Sequence, residues 1–185
     1  MNEEDEKLIQ NYLLEGDEES FKALVFCYTN HIYNFIHQLI KNKEEAEDVT
    51  QEVFIKVWKN LKKYKMGKNF KVWLFAIARN TAIDFLRKKK VLNFSDLDNP
   101  EEEGSFAENI KDEELLPDIM LQKIEDSKLL IEILEKLKLE YKTTLLLHYQ
   151  DEMTFAEIGE ILNKPLNTVK SYHHRALIEL RKMLS

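Results

Sequence analysis

Cysteine is almost missing. Cys27 is the one example in 185 residues, so no internal disulfide is available. Cys27 and His31 lie four apart, but two ligands do not make a zinc site. Cys27 is expected to be a buried thiol in the apolar stretch "LVFCYTNHIYNF". Four glycines and three prolines leave few hairpin signals, and the abundance of Leu, Lys, Glu and Ile favours helix. No apolar run reaches the roughly 18 residues of a membrane span, so no membrane insertion is expected. The acidic start "MNEEDEKLIQ" has neither signal-peptide nor transit-peptide character, which implies a cytoplasmic protein. No glycine-rich phosphate loop, nucleophile–base pattern or metal-ligand spacing occurs, so neither enzyme chemistry, catalytic residues nor a cofactor is expected. His148 in "LLLHYQDE" is read as a satisfied structural histidine.

The content that remains is 44% hydrophobic, enough to bury a core in one domain or two small ones. Charge is sorted along the chain. Residues 1–20 carry eight acids and one base. Residues 61–92 carry ten bases against Asp84 alone. Residues 93–118 carry ten acids against Lys111, and residues 154–185 carry five bases and three acids. Folding does not require such blocks; they mark an electropositive surface beside an acidic connector. The connector holds Pro100, Gly104 and Pro117, lacks a sustained apolar period, and is read as a flexible tether.

The fold class that follows is all-α: two small helical domains, residues 1–92 and 119–185, joined by the acidic linker 93–118. In the first, Leu24, Val25, Tyr28, Ile32, Phe35, Ile36 and Leu39 recur at helical spacing. Val49, Val53, Val57 and Leu61 give the next helix its inner stripe, widened by Ala46, Phe54 and Trp58. Asp48, Gln51, Glu52 and Lys59 fall on another side. In "NFKVWLFAIARNTAIDFLRKKK", Phe70, Leu74, Ile77, Ala78, Thr81 and Phe85 face inward. Trp73, Asn80, Asp84 and Arg87 form an adjoining stripe that ends in a basic run. Aromatics stack on unpaired bases, cations neutralise phosphates, and Asn and Arg read base edges.

The C-terminal segment "MTFAEIGEILNKPLNTVKSYHHRALIELRKML" reads as a helix-turn-helix. Thr154 and Glu157 have capping-box spacing. Gly159 is small where a second helix crosses close by. Asn163 and Lys164 make the turn, since Asn tolerates a left-handed backbone, and Pro165 suits a first helical turn. Phe155, Ile158, Ile161 and Leu162, then Val169, Tyr172, Ala176, Leu177, Leu180 and Leu184, face inward. Asn167, Thr168, Lys170, Ser171, His174 and Arg175 stay outside, where a recognition helix meets the major groove. His173 and His174 are adjacent and cannot chelate together; phosphate or base contacts are expected instead. Residues 126–150 supply two supporting helical stretches.

Taken together, the chain resembles bacterial sigma factors of the extracytoplasmic-function (ECF) group. "AEDVTQEVFIKVW" resembles the family's core-polymerase-binding helix, "FKVWLFAIARNTAIDFLRKKK" its promoter-melting and minus-ten-reading segment, and "MTFAEIGEILNKPLNTVKSYHHRAL" its minus-thirty-five-reading helix-turn-helix. Asn163 and Asn167 stand where the family often has glycine, and Lys164 where an apolar residue is common. The resemblance implies a protein that binds core RNA polymerase, through the largest-subunit clamp helices and the flap region, and directs it to promoter DNA. It implies core contacts by Asp48, Gln51, Glu52 and Ile55. It implies minus-ten contacts by Tyr64, Lys65, Lys68, Asn69, Trp73, Arg79, Asn80, Asp84, Arg87 and Lys88. Minus-thirty-five contacts would come from Asn167, Thr168, Lys170, Ser171, His174 and Arg175, and an anti-sigma factor would hold the protein inactive. The alternative reading is a stand-alone helix-turn-helix regulator with an N-terminal sensing or dimerisation domain.

Overall fold

The computed structural model describes residues 3–92 and 133–184. The chain divides into two compact units, Met1–Leu97 and Asp98–Ser185. The acidic connector read at 93–118 lies outside the described residues, as do 119–132. Among the described residues there are helices and turns and no strand.

The first unit is built by four helices. α1 (Glu3–Glu15) carries Glu3, Glu4, Asp5 and Glu6 in its first turn, where the helix dipole favours anions. It ends at Gly16, whose φ of 71° closes a left-handed cap with its N–H on the Tyr12 carbonyl. Asp17 then caps α2 (Glu18–Ile40), accepting from the Glu19 N–H and the Ser20 hydroxyl. A two-residue turn follows: Lys41 is left-handed, and Asn42 caps α3 (Lys43–Asn60) through the Glu45 N–H. A short 3₁₀ turn (Leu61–Lys63) and a loop lead to α4 (Phe70–Leu92).

These helices close over Leu24, Ile32, Phe35, Ile36, Val49, Val53, Val57, Leu61, Leu74 and Phe75, all essentially buried. Phe35 and Phe75 meet edge-on, centroids 5.3 Å apart, which joins α2 to α4. Lys56 Nζ donates to Thr81 Oγ1 at 3.1 Å and ties α3 to α4.

Two expectations fail in this unit. Cys27 is exposed, because it sits at the edge of the α2 stripe rather than on its centre line. Trp58 is 54% exposed, because one step past Val57 turns the helix about 100° away from the core. Its indole Nε1 donates to the Tyr12 hydroxyl at 2.7 Å.

In the second unit, residues 133–136 are helical, and α5 (Leu139–Leu145) runs on into one π-helical turn, Leu146–Gln150. α6 (Phe155–Leu162) and α7 (Leu166–Leu184) follow. Leu147, Ile158, Val169, Ala176 and Leu177 are buried between them, and Tyr141 packs on Tyr172 at 5.6 Å. The capping box forms: Glu157 N–H donates to Thr154 Oγ1, and the Thr154 N–H donates back to Glu157. Asn163 takes the left-handed backbone expected of it, at φ 53° and ψ 47°.

Candidate functional site

α3 buries one face and presents another made of Asp48, Gln51, Glu52 and Ile55, all exposed. Spacings of three and four put them in one line along the helix. Glu52 is paired with Lys56 at 2.8 Å, an exposed i,i+4 contact that constrains it weakly. Trp58 lies three residues beyond Ile55 and extends this line with a large apolar surface. Its residue type points to the core, but its i,i+7 relation to Gln51 puts it on the outer face.

The loop before α4 is held by aromatic packing. Tyr64, Phe70 and Trp73 meet pairwise with centroids 5.4–5.7 Å apart. Tyr64 is buried, and its hydroxyl donates to the Lys68 carbonyl. Burial is the main cause that raises its phenol above the ordinary range, with Glu6 and Asp5 adding to it. Tyr64 is therefore enclosed by the loop, while Lys65 and Lys68 are exposed on it. Asn69 caps α4, its side chain accepting from the Val72 N–H and its carbonyl from the Trp73 N–H. Along α4, Trp73 and Arg79 are half-buried and Asn80, Asp84, Arg87 and Lys88 exposed. Arg79 donates to Asn80 Oδ1 at 3.3 Å. From Trp73 to Lys88 the stripe runs about 22 Å. Lys89, in the same basic run, is held by both Glu45 carboxylate oxygens at 2.7 and 2.8 Å, a pairing across 44 residues that no local pattern reveals.

In the second unit, Asn167 and Arg175 are exposed and Thr168, Lys170, Ser171 and His174 partly so. The Ser171 hydroxyl donates to the Asn167 carbonyl at 2.9 Å. His173, by contrast, turns into a ring cluster with His148, Tyr149 and Phe155, so the expected phosphate or base contact does not describe it. His148 Nδ1 meets the Met153 carbonyl at 2.8 Å and its ring stacks on Phe155, the structural role expected of it.

Two family models match the chain: Sigma-70 region 2 over residues 24–91 and Sigma-70 region 4 over residues 127–180. The ECF RNA polymerase sigma factor SigW of Bacillus subtilis is 36% identical over 171 residues, covering 92% of this chain and 91% of that one. The chain belongs to the ECF sigma factor family. Two solved structures share the fold of this sigma factor. One is CnrH in complex with the cytosolic domain of CnrY, with TM-score 0.71 at 18% identity, covering 98% of this chain and 97% of that one. The other is the sigma factor RpoE in complex with the anti-sigma factor NepR from Bartonella quintana, with TM-score 0.68 at 22% identity, covering 90% and 97%. Family membership supersedes the stand-alone regulator as a reading of the chain. It also leaves α1 of this sigma factor outside the region 2 match.

Among the described residues of this sigma factor, no group of three or more His, Cys, Asp or Glu could hold a metal ion. No described helix is long and apolar enough to cross a membrane. Its ring cluster does predict a pH response. Burial first, then the neighbouring His148 and His174, lower the His173 imidazole from 6.5 to about 4. Its Nε2 lies 2.9 Å from the Tyr149 hydroxyl, a hydrogen bond whose direction follows the ring's tautomer. Between pH 6.5 and 4 the unfolded chain binds a proton that the folded chain refuses. Stability of the second unit therefore falls as pH drops through that window, by at most about 1.4 kcal/mol per pH unit. An NMR titration of the His173 ring is expected to give a midpoint far below that of an ordinary histidine; an ordinary midpoint contradicts the cluster.

Proposed function

We propose that the separate faces of the first unit divide the work of promoter opening. Sigma factors of this family direct core RNA polymerase to promoters and are not enzymes. On this reading Asp48, Gln51 and Glu52 meet basic and polar groups of the largest-subunit clamp helices, with Ile55 and Trp58 as the apolar centre. Charge complementarity sets register and on-rate, while buried apolar anchors carry most of the affinity. The α4 stripe and the 64–69 loop hold the minus-ten element. A base leaving the stack costs a few kcal/mol. Stacking on aromatics, worth about 1–3 kcal/mol per base, offsets that cost.

The exposed residues at the start of α7 grip the minus-thirty-five element, with the flap region as the second unit's polymerase contact. We assign residues 1–92 and 119–185 as the two working domains and 93–118 as their tether. With ten acids against one base, that tether mimics a nucleic acid in the polymerase channels. An anti-sigma factor, the class of partner seen with the structurally similar RpoE, is expected to cover the α3 face. The protein works in the cytoplasm and makes or breaks no covalent bond.

One observation carries this reading: a single small unit presents an acidic face on α3 and a cationic stripe on α4, with a buried core between them. Run-off transcription with purified core polymerase on a promoter library tests it, and start-site selection must require this chain. Within that assay Arg87→Ala or Lys88→Ala is expected to weaken promoter opening. Each should also lower the log–log salt slope by about one unit. An unchanged slope removes the residue from the phosphate contacts.

A further inference from the structure

We propose that α1 is a splint for the minus-ten loop, and that Glu6 is a positioning residue for base discrimination there. The inference rests on the promoter-opening reading above, but it concerns a helix outside the region 2 match. α1 reaches the loop at two points. At the crest, a Glu6 carboxylate oxygen accepts the Gly67 N–H at 2.8 Å, a contact 61 residues apart in sequence. Gly67 has a φ of 82°, a left-handed conformation that side chains rarely adopt. The loop thus turns sharply where Glu6 holds it.

At the base, the α1 residue Asp5 is buried and accepts the Tyr28 hydroxyl at 2.5 Å. Tyr28 meets Phe70 edge-on at 5.6 Å, and Phe70 belongs to the Tyr64–Trp73 knot that closes the loop. Asp5 therefore sets the root of the loop through Tyr28, and Glu6 sets its tip. Beside that root lies a cavity of about 510 Å³ whose lining includes Glu4 and Asp5 of α1, Tyr28 and His31 of α2, and Asn69 and Lys71 where α4 begins. Without the Glu6 bond, the Lys65–Lys68 segment keeps its aromatic root and loses the restraint on its crest. A pocket with a loose rim still accepts an unstacked base, but it distinguishes bases less well, because discrimination depends on fixed donors and acceptors.

The test uses the full chain with core polymerase on promoters randomised across the minus-ten element. Glu6 is half-buried and stands outside the apolar core, so its replacement spares the fold. Holoenzyme assembly and thermal midpoint are measured alongside. Glu6→Ala is expected to lower the preference for the best base over the next by about fivefold at the most selective position. Assembly should stay at the wild-type level. Glu6→Gln, whose amide oxygen can accept the same N–H, is expected to restore most of that preference. An unchanged preference in Glu6→Ala overturns the proposal. So does an equal loss on every promoter, which marks a merely structural role, and so does a Gln variant as unselective as Ala. Absent selectivity in the wild type instead sinks the promoter reading itself, and the two failures are told apart by which chain shows them.

Discussion

Replacing Asp48 and Glu52 together by lysine is expected to abolish co-purification with core RNA polymerase while leaving the helical content intact. Both side chains are exposed on α3, one turn apart, and neither contributes to the core. Within the chain the double change breaks the Glu52–Lys56 pair, and exposed i,i+4 pairs are worth only about 0.3–0.5 kcal/mol. Lys56 keeps its bond to Thr81, so the α3–α4 seam persists. Against a basic partner, however, each reversal replaces attraction by like-charge repulsion, which costs several kcal/mol. Two reversals at adjacent turns should weaken assembly by more than about a hundredfold, since about 1.4 kcal/mol is a factor of ten. Size-exclusion with purified core polymerase reads the complex, and circular dichroism reads the fold. A double variant that still assembles normally, with unchanged helicity, removes α3 as the docking helix.

The parts of this molecule that are legible in the sequence are those whose information is local. The α3 stripe of Val49, Val53 and Val57 repeats every turn, so its buried face follows from period alone. The helix-turn-helix is punctuated by residues with narrow roles: a capping Thr154–Glu157 pair, a left-handed Asn163, a Pro165 whose carbonyl accepts the Val169 N–H. Expectation and structure part where residue type outweighs position. Trp58 and Cys27 look like core residues, yet both fall off the centre of their stripes. Tyr64 is expected among the minus-ten contacts, and its ring is buried and engaged by Phe70 and Trp73. The π turn at Leu146–Gln150 leaves no mark, because the apolar run "LLLHYQ" suits any helix. Glu45–Lys89 and Glu6–Gly67 join residues 44 and 61 positions apart, and pairings at that range leave no periodic trace.

Gly159→Ala is expected to disable recognition by the second unit, for a reason tied to one distance. A Cβ at Gly159 would lie 2.9 Å from the Lys164 carbonyl oxygen and 3.8 Å from Val169 Cγ2. The first clash is with backbone and cannot be relieved by a rotamer change. That same backbone is committed in the other direction, because the Lys164 N–H donates to the Gly159 carbonyl at 3.0 Å. Asn163 holds the turn at positive φ beside them. An added methyl must therefore either open the turn or push α7 away from α6, and overpacking of this kind costs about 1–3 kcal/mol. The residues proposed for minus-thirty-five recognition, Lys170, Ser171, His174 and Arg175, ride on α7. A rotation that relieves the clash moves them relative to the α6 scaffold that positions them. Loss should therefore exceed what destabilisation alone predicts: transcription from promoters that depend on the upstream element falls about tenfold or more, while polymerase binding through α3 is retained. Truncating Val169 to alanine in the same chain should not rescue it, since the limiting clash is with Lys164. Urea denaturation reads the stability cost, and footprinting of the holoenzyme reads upstream binding. A Gly159→Ala protein with a wild-type upstream footprint would show that the close crossing of α6 and α7 does not govern recognition.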